Sequence, residues 1–303
     1  MRRIIMASAT IAVLASTSLA GAQQRMRPPA SQPLAESIDV PLDMEGGRPV
    51  VSLTVDGRGP YRFIIDSGAM ATLVDTDLPA ELGLVAVGRA LAGDPSGGPA
   101  REVEIFEAPE IRLANGRFTD IRLIALDDAE LWERLGDVRG VLSTGFMAGN
   151  VVTFDFAAGE MRISPGSLED GDGSLSYADR QRPIPNLQID VAGRTVSADI
   201  DTGNGRGLSL PVALQDSLSF AGELQADSAR LLTSSMQMRR GQLEGTVRVA
   251  GVAFENPAVE LQDGFPFANV GSQFLDGPVL EIDPANARLR LSRDAAAEPP
   301  GDS

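Results

Sequence analysis

One short pattern occurs twice in this chain, and it constrains the fold more than any other feature. An apolar strand runs through Phe63-Ile64-Ile65 into Asp66-Ser67-Gly68. The same pattern recurs 135 positions later, where Ile200 leads into Asp201-Thr202-Gly203. Each copy alone is an ordinary strand end, because Asp, Ser and Gly are common turn residues. Two copies at this distance predict a chain built from two related halves.

Other segments of the chain support this internal repeat. Arg48-Pro49 lies 18 residues before Asp66, and Arg182-Pro183 lies 19 residues before Asp201. The segments that match at an offset of 128 are Phe154-Asp155-Phe156 with Ile282-Asp283-Pro284, Met161-Arg162-Ile163-Ser164 with Leu289-Arg290-Leu291-Ser292, and Leu142-Ser143 with Val270-Gly271. The sequence contains no third copy, which disfavours a propeller or a solenoid.

Composition narrows the chemistry that the chain can perform. Its 303 residues include no His, no Cys and no Lys. This excludes Ser-His-Asp and Cys-His catalysis, thiolate metal sites, disulfides, Schiff-base lysines and Ser-Lys dyads. For proton-transfer chemistry, carboxylates are the main candidates that remain. The residues therefore predict no metal and no cofactor.

The net charge bears on possible partners. The formal net charge is −16, and all 26 basic residues are Arg. Such an acidic chain disfavours nucleic acid and anionic membrane surfaces as partners. We expect no nucleic acid partner, and no membrane association once an N-terminal signal has been removed.

Residues 1–22 have the pattern of a secretory signal peptide. Arg2 and Arg3 precede a mostly apolar run from Ile4 to Ala15, and Ala20-Gly21-Ala22 fits a cleavage site. The alternative is an uncleaved anchor, but the run is shorter than the ~20 residues that a membrane span needs. We predict a periplasmic or secreted protein. The predicted organisation is a signal peptide (1–22), a linker (23–36), an N-terminal lobe (37–168), an inter-lobe linker (169–181), a C-terminal lobe (182–293) and a disordered tail (294–303).

Taken together, the two motifs resemble those of the aspartic proteases, in which two Asp-Thr/Ser-Gly motifs supply one catalytic Asp each. Ala69, after the first motif, is more similar to the retroviral branch than to the pepsin branch. The resemblance implies an all-β chain with the acid protease fold, in which two pseudo-symmetric retropepsin-like β-barrel lobes flank a cleft. The site residues that it implies are the catalytic Asp66 and Asp201, supported by Ser67, Gly68, Thr202 and Gly203.

The chemistry of such a pair is hydrolysis without a metal. Two carboxylates about 3 Å apart must share one proton, so one can activate water while the other protonates a carbonyl. Because this chain carries both motifs, we expect a monomer with an internal pseudo-twofold axis. The predicted function is an aspartic endopeptidase that acts on a polypeptide substrate. Flap hairpins, which the family closes over its substrate, are expected at residues 91–101 and 234–241.

Two other functions remain open from the sequence. One is a catalytically inactive peptide-binding protein of the same fold. In the family that this chain resembles, an apolar-apolar-Gly element supports each catalytic loop. Val270-Gly271 fits this supporting element in the second half, but Ser143 stands at the aligned position of the first, and Asn204 replaces the usual small residue. Neither Tyr61 nor Tyr177 lies in a flap segment, where pepsin-like enzymes carry a Tyr. The other is a two-carboxylate glycosidase, which needs carboxyl groups at least ~5 Å apart and aromatic sugar platforms.

Overall fold

The chain folds mainly into β-structure. A computed structural model describes residues 12–14, 33–93, 100–230 and 235–293. Strands account for 57% of the residues and helices for 9%, which confirms the all-β class. The predicted tail and most of the predicted signal peptide and first linker lie outside the described residues. The domain boundaries stay predictions.

The described strands form three sheets, the first of which lies in the N-terminal half. It has nine strands in the order β1-β7-β8-β9-β6-β10-β5-β4-β3. These are β1 (Ala12–Leu14), β3 (Asp43–Glu45), β4 (Arg48–Val55), β5 (Arg58–Asp66), β6 (Thr72–Asp75), β7 (Ala86–Gly93), β8 (Arg101–Leu113), β9 (Gly116–Leu126) and β10 (Val138–Ser143). The strand β8 has 13 residues.

A second sheet of nine described strands lies in the C-terminal half, in the order β17-β18-β21-β16-β22-β15-β14-β19-β20. Its strands are β14 (Asn186–Val191), β15 (Arg194–Asp201), β16 (Leu208–Pro211), β17 (Phe220–Arg230), β18 (Ser235–Leu243), β19 (Thr246–Val249), β20 (Val252–Glu255), β21 (Ala258–Gln262) and β22 (Ala268–Gly271). Like β5 and β10 in the first sheet, β15 and β22 run parallel to each other.

The third sheet joins the two halves of the chain. Its six described strands have the order β13-β24-β23-β11-β12-β2. They are β2 (Ile38–Pro41), β11 (Asn150–Asp155), β12 (Glu160–Pro165), β13 (Leu175–Ser176), β23 (Val279–Asp283) and β24 (Arg288–Ser292). The expected inter-lobe linker at 169–181 is therefore not entirely irregular, because it contains β13, which pairs with β24.

The central position of β5 explains its sequence. This strand lies between β4 and β10, and its last four residues are all buried. A strand covered on both faces needs a continuous apolar run rather than an alternating one, and Phe63-Ile64-Ile65 supplies it. The equivalent end of β15 is buried in the same way, so both acidic motifs emerge from the interior of a sheet.

The helices of the described residues are short. They are the α-helices Asp77–Leu82 and Ala129–Leu135 and the 3₁₀ helices Thr144–Met147 and Val212–Ser217. In the described part of the chain, no helix has the length and apolar character needed to cross a membrane. The indole of Trp132 packs beside a small apolar cluster and donates a hydrogen bond to the Leu126 carbonyl (2.8 Å).

The shared sheet gives a test of how the two halves are joined. Phe154 in β11 is fully buried and lies opposite Leu280 of β23. Because Phe154→Ala would leave a cavity between the halves, we expect it to lower the free energy of unfolding by about 3–5 kcal/mol. The control Glu160→Ala, at an exposed position of β12, should leave it nearly unchanged. Urea unfolding measures both, and equal effects would contradict this account of the core.

Candidate active site

The two acidic motifs lie at equivalent places in the two nine-stranded sheets. Asp66 is the last residue of β5, and Ser143 of the parallel strand β10 lies opposite it. Asp201 is the last residue of β15, and Gly271 of the parallel strand β22 lies opposite it. The pairing of Ser143 with Gly271 at an offset of 128 therefore describes a real structural equivalence.

The side chains of Ser67 and Thr202 join the two motif loops by four reciprocal hydrogen bonds. The Ser67 N–H donates to Thr202 Oγ1 (3.0 Å), and the Thr202 N–H donates to Ser67 Oγ (3.0 Å). The Ser67 hydroxyl also donates to the Ile200 carbonyl (2.7 Å), and the Thr202 hydroxyl donates to the Ile65 carbonyl (2.9 Å). All these groups are buried, so the network holds the ends of β5 and β15 face to face.

The glycines of the motifs leave the space in which the carboxyl groups meet. A Cβ placed on Gly68 would lie 2.6 Å from Cγ of Asp201, and one on Gly203 would lie 2.2 Å from Cγ of Asp66. Any larger residue at either position would displace the carboxyl group of the opposite half. The glycine in each motif is thus required by close approach.

The carboxyl groups of Asp66 and Asp201 hydrogen-bond to each other in the interior. Asp66 is 4% exposed and Asp201 is fully buried. Burial raises the pKa of Asp66 well above its ordinary value, and the charge of Asp201 and their mutual hydrogen bond raise it further. The N–H groups of Gly68 and Ala69 act in the opposite direction, and Gly68 donates to Asp66 Oδ1 at 2.7 Å.

The surroundings of Asp201 are more polar. Burial raises its pKa, while hydrogen bonds from Asn269, Asp66 and the Asn204 N–H lower it. The Asn269 amide donates to Asp201 Oδ2 at 2.7 Å, and the Asn204 N–H donates to Oδ1 at 3.0 Å. Asn269 did not emerge from the sequence as a site residue. The signal available was its place just before Val270-Gly271.

Arg48 is a second neighbour of the site that the sequence did not single out. Its Nε donates to the Gly203 carbonyl (3.1 Å), which holds the half-buried side chain against the second motif loop. Burial lowers the pKa of Arg48, while the charges of Asp201 and Asp66 raise it. The turn before Arg48 packs against the second motif loop, because a Cβ on Gly205 would lie 2.2 Å from the Gly46 carbonyl oxygen.

Ser143 and Gly271, which occupy equivalent positions of the supporting element, contact the neighbouring loops in different ways. The Ser143 hydroxyl donates to the Ala69 carbonyl (2.6 Å) and accepts from the Gly145 N–H (3.2 Å). At Gly271 there is no room for a side chain, since a Cβ would lie 2.3 Å from the Arg206 carbonyl oxygen. Ser143 therefore replaces a steric requirement with a hydrogen bond to the first motif loop.

Asp199, Asp155 and Asp283 have partners outside the pair. Asp199 is buried and accepts two hydrogen bonds from Arg182 (2.9 and 2.7 Å), so its carboxylate is bound outside the pair. Asp155 accepts from the Ala158 N–H in a turn, and Asp283 accepts from the N–H groups of Leu168 and Asn286. These acids cap loops, as expected for turn residues.

The expected flap segments begin on paired strands. β7 pairs with β8, and β17 pairs with β18, both antiparallel. Residues 94–99 and 231–234, which belong to the expected flaps or adjoin them, lie outside the described residues.

Arg206, which follows the second motif, connects that motif to β17 and to β21 through ion pairs with Asp227 (2.8 Å) and Glu260 (2.6 Å).

The geometry of the pair bears on the glycosidase alternative and on metal binding. A two-carboxylate glycosidase needs carboxyl groups at least ~5 Å apart, so the mutual hydrogen bond of Asp66 and Asp201 disfavours that function. Among the described residues, no cluster of three or more acids could hold a metal ion. What the pair can do is share one proton, so that an acid and a base lie side by side.

The burial of the pair predicts how stability depends on pH. Folding raises the pKa of Asp66, so ionisation of this carboxyl group opposes folding. The resulting loss of stability grows as pH rises from 3.8, the ordinary pKa, through the folded pKa. Asp66→Asn keeps the shape but cannot ionise. We expect a higher melting temperature than wild type at pH 7, and no gain below about pH 4.

Thermal unfolding followed by circular dichroism between pH 3 and pH 8 measures this difference. Asp155→Asn, in an ordinary turn, is the matched control and should show no such gain. A melting temperature of Asp66→Asn below that of wild type at pH 7 would contradict the prediction.

A comparison with known families bears on this site. Residues 51–147 match the model of a family described as aspartyl protease. The matched range includes Asp66 with its loop and ends just after Ser143, whereas the second motif lies beyond it. No curated protein matches the chain. The match supports an aspartyl protease family for this chain and, with it, a protease among the hydrolases.

Proposed function

We propose that this protein is an aspartic endopeptidase that hydrolyses peptide bonds with a water molecule activated by Asp66 and Asp201. The observation that carries the proposal is the hydrogen-bonded contact of these two buried carboxyl groups, each from a separate half of the chain. Without His, Cys or Lys, the chain offers this pair as its strongest acid–base arrangement.

The pair works in the state that holds one proton. Two acids at hydrogen-bond distance cannot both ionise easily, because each charge opposes the other. The ionised carboxylate takes a proton from water, and the protonated carboxyl donates to the carbonyl oxygen of the peptide bond. In our proposal, Ser67, Gly68, Thr202 and Gly203 keep the pair in register.

We further propose that the two halves form pseudo-symmetric lobes of the retropepsin-like acid protease type, complete in a monomer. The equivalent strands β5 and β15, with their parallel partners β10 and β22, support this reading. The substrate is an extended polypeptide bound between the lobes, under the hairpins β7–β8 and β17–β18. A periplasmic or secreted location rests on the signal pattern of residues 1–22.

Substitution of each aspartate tests the function. Asp66→Asn and Asp201→Asn should each lower kcat/KM on an unfolded protein substrate such as casein by about 10²–10⁴, because each removes an acid–base group. Asp155→Asn is the control and should keep wild-type activity. The one-proton state also predicts a bell-shaped dependence of kcat/KM on pH.

The outcome separates the proposal from its alternative. Activity that survives in both dyad variants would contradict the mechanism. If the wild-type protein binds peptides but cleaves none at any pH, the chain is a peptide-binding protein of the same fold instead.

A further inference from the structure

The two carboxyl groups of the site differ in their neighbours, although the strands that carry them are equivalent. Asn204 is the third residue after the second aspartate, and the third residue after the first is Ala69. Asn269 of β22 lies opposite Asp199, and its equivalent in β10 is Val141, which lies opposite Ile64. Both amide side chains beside Asp201 thus have apolar counterparts beside Asp66.

Hydrogen bonds connect these amides in a chain that ends on Asp201. The Arg206 N–H donates to Asn204 Oδ1 (3.1 Å), and the Asn204 amide donates to Asn269 Oδ1 (2.6 Å). The Asn269 amide then donates to Asp201 Oδ2 (2.7 Å). A backbone N–H can only donate, so the bond from Arg206 sets the orientation of every amide after it. The chain therefore presents a donor to Asp201, which favours the ionised carboxylate.

Two charged groups near the pair act on Asp201 in opposite directions: the positive Arg48 favours its ionised form, and the carboxylate of Asp199 disfavours it. Arg48 donates a hydrogen bond to the Gly203 carbonyl of the second motif loop, so its positive charge lies on the side of Asp201 and acts on both carboxyl groups. The residue equivalent to Arg48, Arg182, is bound to Asp199. The side chain of Arg206 forms ion pairs with acids of the second sheet. Of these three arginine side chains, that of Arg48 is the one bound to the Gly203 carbonyl of the second motif loop, so its charge is directed to the pair.

We propose that Asn204 and Asn269, together with Arg48, locate the negative charge on Asp201 and the shared proton on Asp66. This inference rests on the proposed function and assigns its two roles. Asp201 takes a proton from water as the hydroxyl oxygen bonds to the carbonyl carbon, and Asp66 gives its proton to the carbonyl oxygen. When the C–N bond breaks, Asp201 returns a proton to the amine and Asp66 recovers one from the diol, so the starting state is restored.

Asn204 and Asn269 are positioning residues in this scheme, because they act through Asp201. Their effect has a specific signature. The ionised form of Asp201 is present both in the active state and in the fully ionised state, whereas the state with two protons lacks it. Loss of the amide donor therefore moves the acid limb of the pH profile upward and leaves the alkaline limb, which reports Asp66, in place.

The variant Asn269→Val, which copies the residue of the first half, tests this signature. We expect the apparent pKa of the acid limb of the kcat/KM profile to rise by about one unit, which corresponds to a tenfold weaker acid. The alkaline limb should not change. Asn204→Ala, which copies Ala69, should move the acid limb in the same direction and serves if the first variant does not fold. Gln188→Val, at an exposed site of the same sheet, should move neither limb.

A second readout does not depend on activity. Carbon-13 NMR of protein labelled at the aspartate carboxyl carbon follows each titration, with Asp66→Asn and Asp201→Asn to assign the signals. The lower titration of the pair should belong to Asp201 and should rise in Asn269→Val. An unchanged titration, or a shift confined to Asp66, would overturn the inference. If the wild-type protein cleaves no peptide, the proposed function fails, whereas the NMR titration still decides where the proton lies.

Discussion

The structure depends on the reciprocal hydrogen bonds between Ser67 and Thr202. Each hydroxyl accepts a hydrogen bond from an N–H and donates one to a carbonyl of the other half. Each buried hydroxyl is therefore satisfied both as donor and as acceptor. These links also hold the two buried carboxyl groups together when both are ionised and repel each other. Because the links run between the ends of central strands, they use the rigidity of both sheets to hold the pair together.

The rest of the molecule provides the conditions for that contact. One continuous apolar cluster extends through both halves and through the shared sheet. The strand ends that carry the two aspartates are therefore packed against the same core. Burial also raises the pKa of both aspartates, which is a cost to stability at neutral pH. Proteins commonly retain such a cost where a group is needed for chemistry.

The backbone of the site is repeated in the two halves of the chain, whereas the side chains around the two aspartates are not. The strand registers are repeated in the two halves, as the equivalence of Ser143 and Gly271 shows, and so are the close contacts of Gly68 and Gly203. The amides that reach Asp201 are not repeated, because Ala69 and Val141 occupy the equivalent positions. A duplicated backbone can thus carry two acids with unlike surroundings, and unlike surroundings are what separates an acid from a base.

The sequence alone determined the two motifs and the internal repeat, because both are patterns of residue types along the chain. Through the resemblance that these motifs carry, it also predicted the all-β class. It also aligned Ser143 with Gly271, since the offset between matching segments is a property of the chain itself. Only the tertiary structure decided that Asn269 and Arg48 lie beside the pair and that strand Leu175–Ser176 joins the shared sheet. Asn269 lies 68 residues from the carboxylate that it contacts, and no local pattern records such a distance. Contacts of this kind arise when strands from distant segments pair and pack, so they become visible only in the folded chain.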